Sequence, residues 1–251
     1  MDVYEAADAN VAAAVSLFGR YGAGSVLDVR PGLLLVAAAS EYAGAFHNAA
    51  LRTDPTADPH RVVDDMQSFG RAHRRDMVLW ASTHRDQDLA EVAEARGLRI
   101  RSTAVGMALR TPPTVEQPGD IELVAADVDG FAAVHRDVVA DVDAVPQFAS
   151  AGVLLAPGVS SLVAYADGTP VSCAMAVRSG RTAGIYWVAT RPAARRRGYG
   201  SLVTAAVARL GFEQGAEVVV LQATAMGAPV YEALGFEAFT EYRRFGQPGS
   251  R

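Results

Sequence analysis

The run Arg195-Arg196-Arg197-Gly198-Tyr199-Gly200-Ser201 constrains this chain more than any other stretch, because it joins a hydrophobic strand to an amphipathic helix through two glycines one residue apart. Glycine has no Cβ, so such a turn can aim several backbone N–H groups at one point, and the helix behind it adds the positive end of its dipole. A pyrophosphate fits a cup of that kind. The strand before it is Ile185-Tyr186-Trp187-Val188-Ala189. The helix after it places Leu202, Val203, Ala206, Val207 and Leu210 on one face.

An Arg/Gln-x-x-Gly-x-Gly/Ala string alone arises by chance in roughly one chain in four or five of this length. The elements on its C-terminal side give it context: the helix, the apolar strand Glu217-Val218-Val219-Val220-Leu221, then a short helix ending Val230-Tyr231-Glu232-Ala233-Leu234-Gly235-Phe236. In this order the segment from Ile185 to Phe245 resembles the GNAT superfamily of acyl-CoA-dependent N-acetyltransferases, whose members carry that pyrophosphate loop and a distal Tyr-x-x-Leu-Gly-Phe. The resemblance implies an α/β (mixed α+β) fold with a central mixed, mostly antiparallel sheet flanked by helices.

Acetyl-CoA would then be the co-substrate. By the same resemblance, the strand ahead of the loop splays from the next one. Val188 matches the position whose N–H polarises the thioester carbonyl and stabilises the oxyanion. The amides of Arg196, Arg197, Gly198, Tyr199, Gly200 and Ser201 would bind the pyrophosphate. Arg195, Arg196 and Arg197 read either as an electrostatic attractor for the nucleotide or as a solvated basic surface. Arg196 stands where relatives often have glycine, while Gly198 and Gly200 are kept. Thr224, in the loop Gln222 to Gly227, would lie beside the cofactor arm.

Tyr231 matches the family's proton donor to the departing thiolate, a role suited to a phenol within hydrogen-bond reach of the sulfur. The base is open. Many relatives use a glutamate on or near the strand Ile185 to Ala189, and here Tyr186 and Trp187 stand there instead, as an aromatic wall for the acceptor. Water, a backbone carbonyl, or one of Asp137, Asp141 and Asp143 remain as candidates. Those aspartates read either as an ammonium holder or as a solvated helix edge. His135 reads as a helix-surface residue, and Cys173 as a small buried hydrophobe rather than a nucleophile.

The first half repeats the pattern without the chemistry. A helix with Val11, Val15 and Phe18 precedes strands at Ser25 to Val29 and Leu33 to Ala37 and another around Ala45 to Leu51. A helix with Val62, Met66 and Phe69, the strand Met77 to Trp80, a helix from about Gln87 that ends Glu94-Ala95-Arg96-Gly97-Leu98 and a strand Thr103 to Leu109 complete it. The second half runs in the same order, from a strand Ile121 to Ala125 and a helix from Val128 through a meander turning at Asp167-Gly168 and Ser179-Gly180. The repeat suggests two similar domains in tandem, residues 1–110 and 120–251, with the proline-rich stretch 111–119 as linker. Where the second half has its glycine loop the first has Thr56-Ala57-Asp58-Pro59-His60, and Ala93 stands where the second has Tyr231. The first domain therefore reads as degenerate, without its own cofactor.

The net charge of −5 argues against a nucleic-acid surface and favours cationic substrates. One cysteine makes no internal disulfide, no Cys/His cluster suggests a metal, and no early segment reads as a signal or membrane span, so the cytoplasm is the default. The expected activity is transfer of an acetyl group to a primary amine of a small molecule or peptide, by direct attack in a ternary complex, since no covalent nucleophile is set up. Dimers are common in the family, so a homodimer is admitted. A non-catalytic acyl-CoA-binding regulatory module is the competing class.

Overall fold

The computed structural model describes residues 1–41 and 46–248. The first half supplies α1 (Val3–Tyr21), β1 (Val26–Arg30), β2 (Leu33–Ala37), β3 (Ala49–Arg52), α2 (Pro59–His73), β4 (Val78–Ser82), α3 (Gln87–Ala95) and β5 (Arg99–Leu109). The second supplies β6 (Ile121–Ala125), α4 (Val128–Arg136), α5 (Ala151–Leu154), β7 (Val159–Ala166), β8 (Thr169–Ser179), β9 (Thr182–Thr190), α6 (Tyr199–Glu213), β10 (Val218–Ala223), α7 (Ala228–Glu232) and β11 (Glu237–Gly246). Single 3-10 turns at Val142–Gln147 and Pro192–Ala194 complete it. The strand expected around Ala45 to Leu51 starts at Ala49, and Ala45 lies outside the described residues.

The eleven strands of the described residues form one sheet, in the order β1-β2-β3-β4-β11-β5-β10-β9-β8-β7-β6. Among the described residues only β3/β4 and β9/β10 pair in parallel. The repeat is visible in that symmetry, but the halves are not separate sheets. β5, the last strand of the first half, lies between β10 and β11, and β11, the last of the second, lies between β4 and β5. Each half has thus given its final strand to the other, so neither 1–110 nor 120–251 closes its own hydrogen-bond ladder.

Strand alternation sorts the core onto two faces. On one, α2 and α3 cover Leu33, Leu35, Ala50, Leu79 and Ala81, and α6 covers Ile185, Val219, Leu221 and Met107. On the other, α1 lies among Val36, Leu51 and Trp80 of one arm and also against β8, β9 and β10 of the other. A helix reaching both arms of an eleven-stranded sheet requires that sheet to curl around it.

Asn10 fixes α1 in that position. Its buried Nδ2 donates to Val177 O at 3.0 Å and Ser179 Oγ at 2.8 Å, and its Oδ1 accepts from the Tyr186 hydroxyl at 2.6 Å. This explains two choices that local propensity opposes. An asparagine inside a helix is offset by three buried bonds, and Gly184 interrupts β9 because a Cβ there would run into Asn10 Oδ1.

Candidate functional site

The parallel pair β9/β10 opens into a fork. Its rungs run from Thr182/Val218 to Ile185/Leu221 and stop, although β9 continues to Thr190 and β10 to Ala223. The cause lies on the other side of β9. Pairing with β8 passes from Met175↔Tyr186 to Cys173↔Ala189, leaving Trp187 and Val188 opposite Ala174 alone. An extra residue of this kind bends its strand and increases the local twist. Trp187 takes φ 52°, a left-handed conformation costly for a bulky residue, and its ring stacks on Phe148 at 3.7 Å and 3° between planes. Val188 follows within the bulge, beyond the last rung.

Beyond the fork the backbone forms an anion cup. Arg196 (φ 62°) and Gly198 (φ 81°) are left-handed, and α6 starts at Tyr199 with no side chain capping its first turn. The first N–H groups of a helix have no intrahelical acceptor, so here they remain available to an anion. At Gly198 a Cβ would meet nothing within 4 Å, whereas at Gly200 it would stand 3.2 Å from Thr190 Oγ1. The two glycines differ in purpose: one allows the turn, the other the close approach of helix to strand. Arg195, Arg196 and Arg197 are exposed, with Arg195 Nε donating to Thr190 O at 3.3 Å. Tyr199 and Ser201 are half-buried in the first turn.

The corresponding place in the first half is closed. Asp58 caps α2 itself, accepting from His60 N at 3.0 Å. Arg52, at the end of β3, is almost fully buried and reaches Asp86 Oδ1 (Nε, 3.0 Å), both Asp88 oxygens (2.7 and 2.8 Å) and Ala57 O (3.4 Å). A guanidinium tied to two carboxylates thus spans the end of the β3/β4 pair, the counterpart of the β9/β10 fork.

Tyr231 stands on α7 with its ring 6.0 Å from that of Phe236. Its hydroxyl makes no hydrogen bond among the described residues, and burial pushes its pKa up to about 12. Thr224 is exposed, and its Oγ1 accepts from Gly227 N at 3.2 Å, shaping the turn into α7.

On the acceptor side the aspartates do not act together. Asp137 pairs with Arg191 at 3.0 Å, Asp141 accepts from Asp143 N as a cap, and Asp143 is exposed. The carboxylates of Asp137 and Asp141 are thus engaged locally, while that of Asp143 makes no hydrogen bond or ion pair among the described residues. Tyr186 is buried and committed to Asn10. Trp187 packs against the rings of Phe148 and His47. His135 is not a surface residue: α4 turns it inward, where it stacks on Phe131 at 4.8 Å and lies 3.4 Å from Cys173 Sγ. Cys173 is buried, and that burial pushes its thiol pKa well up, which suits an inert core residue.

The first half adds two rings to this aromatic group. Phe46 approaches Tyr186 (5.1 Å) and Trp80 (5.2 Å), and His47 approaches Trp187 (5.3 Å). No local pattern in the sequence marks Phe46 or His47 as part of a site. Their place follows from the curl of the sheet.

His47 and His135 both have pKa values lowered to about 4 by burial. Unfolded histidines titrate near 6.5, so between those values the unfolded chain binds more protons and stability falls as pH falls. Each full shift is worth about 3 kcal/mol. Urea midpoints are expected to be level above about pH 6.5 and to drop towards pH 4, with His135→Asn removing about half of the slope. An unchanged slope in that variant would count against the buried neutral imidazole.

Among the described residues no group of three or more His, Cys, Asp or Glu is placed to hold a metal ion, and no helix is long and apolar enough to cross a membrane. No curated protein matches the sequence. Among solved structures, a GCN5-related N-acetyltransferase from Kribbella flavida is similar at 20% identity and a TM-score of 0.73, covering 96% of this chain and 95% of its own. One from Sphaerobacter thermophilus gives 15% and 0.61, covering 88% and 82%. A tandem GNAT protein from the clavulanic acid biosynthesis pathway gives 16% and 0.62, covering 94% of each chain. At such identities the likeness is one of fold. The profile of the Acetyltransferase (GNAT) family matches residues 132–236, a span that holds the bulge, the fork, the anion cup and Tyr231. Residues 132–236 therefore match the GNAT acetyltransferase domain, within a chain that has the fold of the GCN5-related N-acetyltransferases.

Proposed function

We propose that this chain transfers the acetyl group of acetyl-CoA to a primary amine, by direct attack while both are bound. The observation that carries this reading is the uncapped start of α6 behind Gly198, lying past the point where β9 and β10 part. The residues present suit the co-substrate: an open cup with three exposed arginines for the pyrophosphate, and unpaired strand edges for an arm that pairs with backbone amides.

The Val188 N–H is the donor for charge developing on the thioester oxygen, because a backbone amide fixed by the bulge needs no reorganisation. Tyr231 donates a proton to the departing sulfur. With a pKa of about 12 its hydroxyl stays protonated throughout the neutral range. Loss of a proton from the ammonium falls to water, a backbone carbonyl or the exposed Asp143, since Asp137 and Asp141 are engaged elsewhere.

The first half is read as a degenerate copy that binds no acetyl-CoA of its own: Asp58 caps its counterpart of the cup, and Arg52 spans its counterpart of the fork. The test is release of the free thiol of coenzyme A from acetyl-CoA over a panel of primary amines, with the acetylated product identified by mass. Amine-dependent thiol release is expected. Binding of acetyl-CoA with no release for any amine would favour the regulatory module instead.

A further inference from the structure

Among the described residues, Arg244 is a cation without a counter-ion. It lies on β11 opposite Trp80 of β4, with its guanidinium carbon 5.1 Å from the centre of the Trp80 ring. Its only hydrogen bond among the described residues runs from one terminal nitrogen to Thr103 O at 3.2 Å, while its Nε is enclosed and unbonded. No carboxylate among those residues forms an ion pair with it. Burial without a compensating acid lowers its pKa. Arg52, by contrast, is answered by Asp86 and Asp88.

A second group on the same face is also left unanswered. Gln222 follows the last rung of the fork, and both its Oε1 and Nε2 are enclosed without a hydrogen bond. It shares the parity of Val218 and Val220, which lie on the α1 face. Had the ladder continued, it would stand opposite Tyr186. Trp187 Nε1, across the fork, is likewise enclosed and unbonded. Enclosed polar groups without partners are rare and call for a specific explanation, of which a bound ligand is one.

The register relates these groups. Gln222 pairs with Gly106, and Gly106 with Thr240, so β10 and β11 stand two strand spacings apart, about 10 Å. Arg244 lies four residues beyond Thr240, about 13 Å along β11, in the direction in which the fork opens. The α6 face holds the anion cup, so the α1 face is left for the acceptor.

We infer that the acceptor amine carries an acid group several bonds from its nitrogen, with Arg244 holding the acid and Gln222 orienting the chain near the reacting amine. The inference rests on the acetyl-transfer reading and adds the acceptor class to it. A carboxylate and a phosphate both answer a guanidinium, and matched probes separate them.

The experiment compares 6-aminohexanoate, 4-aminobutyl phosphate and uncharged hexylamine as acceptors, in the wild type, Arg244→Lys and Arg244→Met. At least one acid-bearing amine is expected to show kcat/KM about tenfold or more above hexylamine, with the better one naming the acid. Arg244→Met is expected to reduce that preference below about twofold and Arg244→Lys to retain part of it. The variant's melting temperature is expected to hold or rise, because an unpaired enclosed charge is removed. A lower melting temperature with the preference intact would make Arg244 a structural residue and overturn the inference.

Melting shifts with 6-acetamidohexanoate and with N-hexylacetamide give a readout independent of turnover. A shift by the acid alone, absent in Arg244→Met, supports the acid site even if acetyl transfer fails. Equal or no shifts, or hexylamine turned over as well as the acids, would overturn it while leaving acetyl transfer standing.

Discussion

Tyr231→Phe is expected to lower kcat by about 10²- to 10⁴-fold, the range for removing a positioned proton donor, with the dissociation constant for acetyl-CoA unchanged. The hydroxyl holds up nothing in the fold: it makes no hydrogen bond among the described residues, and the ring that packs near Phe236 is kept in phenylalanine. Turnover and equilibrium binding should therefore separate cleanly. The wild-type pH profile depends on the same group. A donor works below its own pKa, and with that value at about 12 the rate should climb as the amine loses its proton towards pH 10 and show no fall from Tyr231 before pH 12. Stopped-flow thiol detection together with calorimetry checks both statements. Loss of acetyl-CoA affinity in proportion to kcat would show that the tyrosine shapes the cofactor site and does not donate the proton.

Gly198→Glu is expected to weaken acetyl-CoA binding by about 100-fold or more, through effects of the same sign. The φ of 81° strains any residue with a Cβ, by about 1–2 kcal/mol. Nothing within 4 Å obstructs the new Cβ, so the side chain enters open space in front of α6. There its carboxylate can cap the N–H groups that no side chain now answers, and it repels a pyrophosphate. Gly198→Ala carries the strain without the charge and should lose only a small part of the affinity. Calorimetric titration of the three proteins decides. One site in the wild type, lost in the glutamate variant, places the cofactor at α6. Two wild-type sites would contradict the reading that Arg52 and Asp58 have closed the first half.

The local elements were legible because their causes are local. The strand Leu33 to Ala37, the starts of α3 and α4 at Gln87 and Val128, and the turn at Asp167-Gly168 all show in periodicity or glycine placement. The glycine turn ahead of α6 was legible for the same reason: Gly198 and Gly200 lie in one short stretch. What depends on distant partners was not. His135 lies on the same helical stripe as Phe131, but only the depth of the α4 packing shows that it is enclosed. Asp137 looks free until Arg191, on the far side of three strands in sequence, comes within 3.0 Å. The order β10-β5-β11-β4 could not be read at all, because β5 and β11 carry the same kind of pattern and either suits either place.

That reciprocal exchange has a consequence for how the protein is made. A ribosome builds from the amino end, and most domains can settle as soon as their own residues emerge. Here β4 must wait for β11, whose first residue, Glu237, is synthesised long after Leu109 has closed the first repeat. Until then β4 presents a bare parallel-paired edge and β5 has no neighbour, the kind of unpaired ladder that recruits other chains. In the finished fold the first half thus depends on later residues for the second edge of β4, for both neighbours of β5 and for the Val177 and Tyr186 partners of Asn10 on α1.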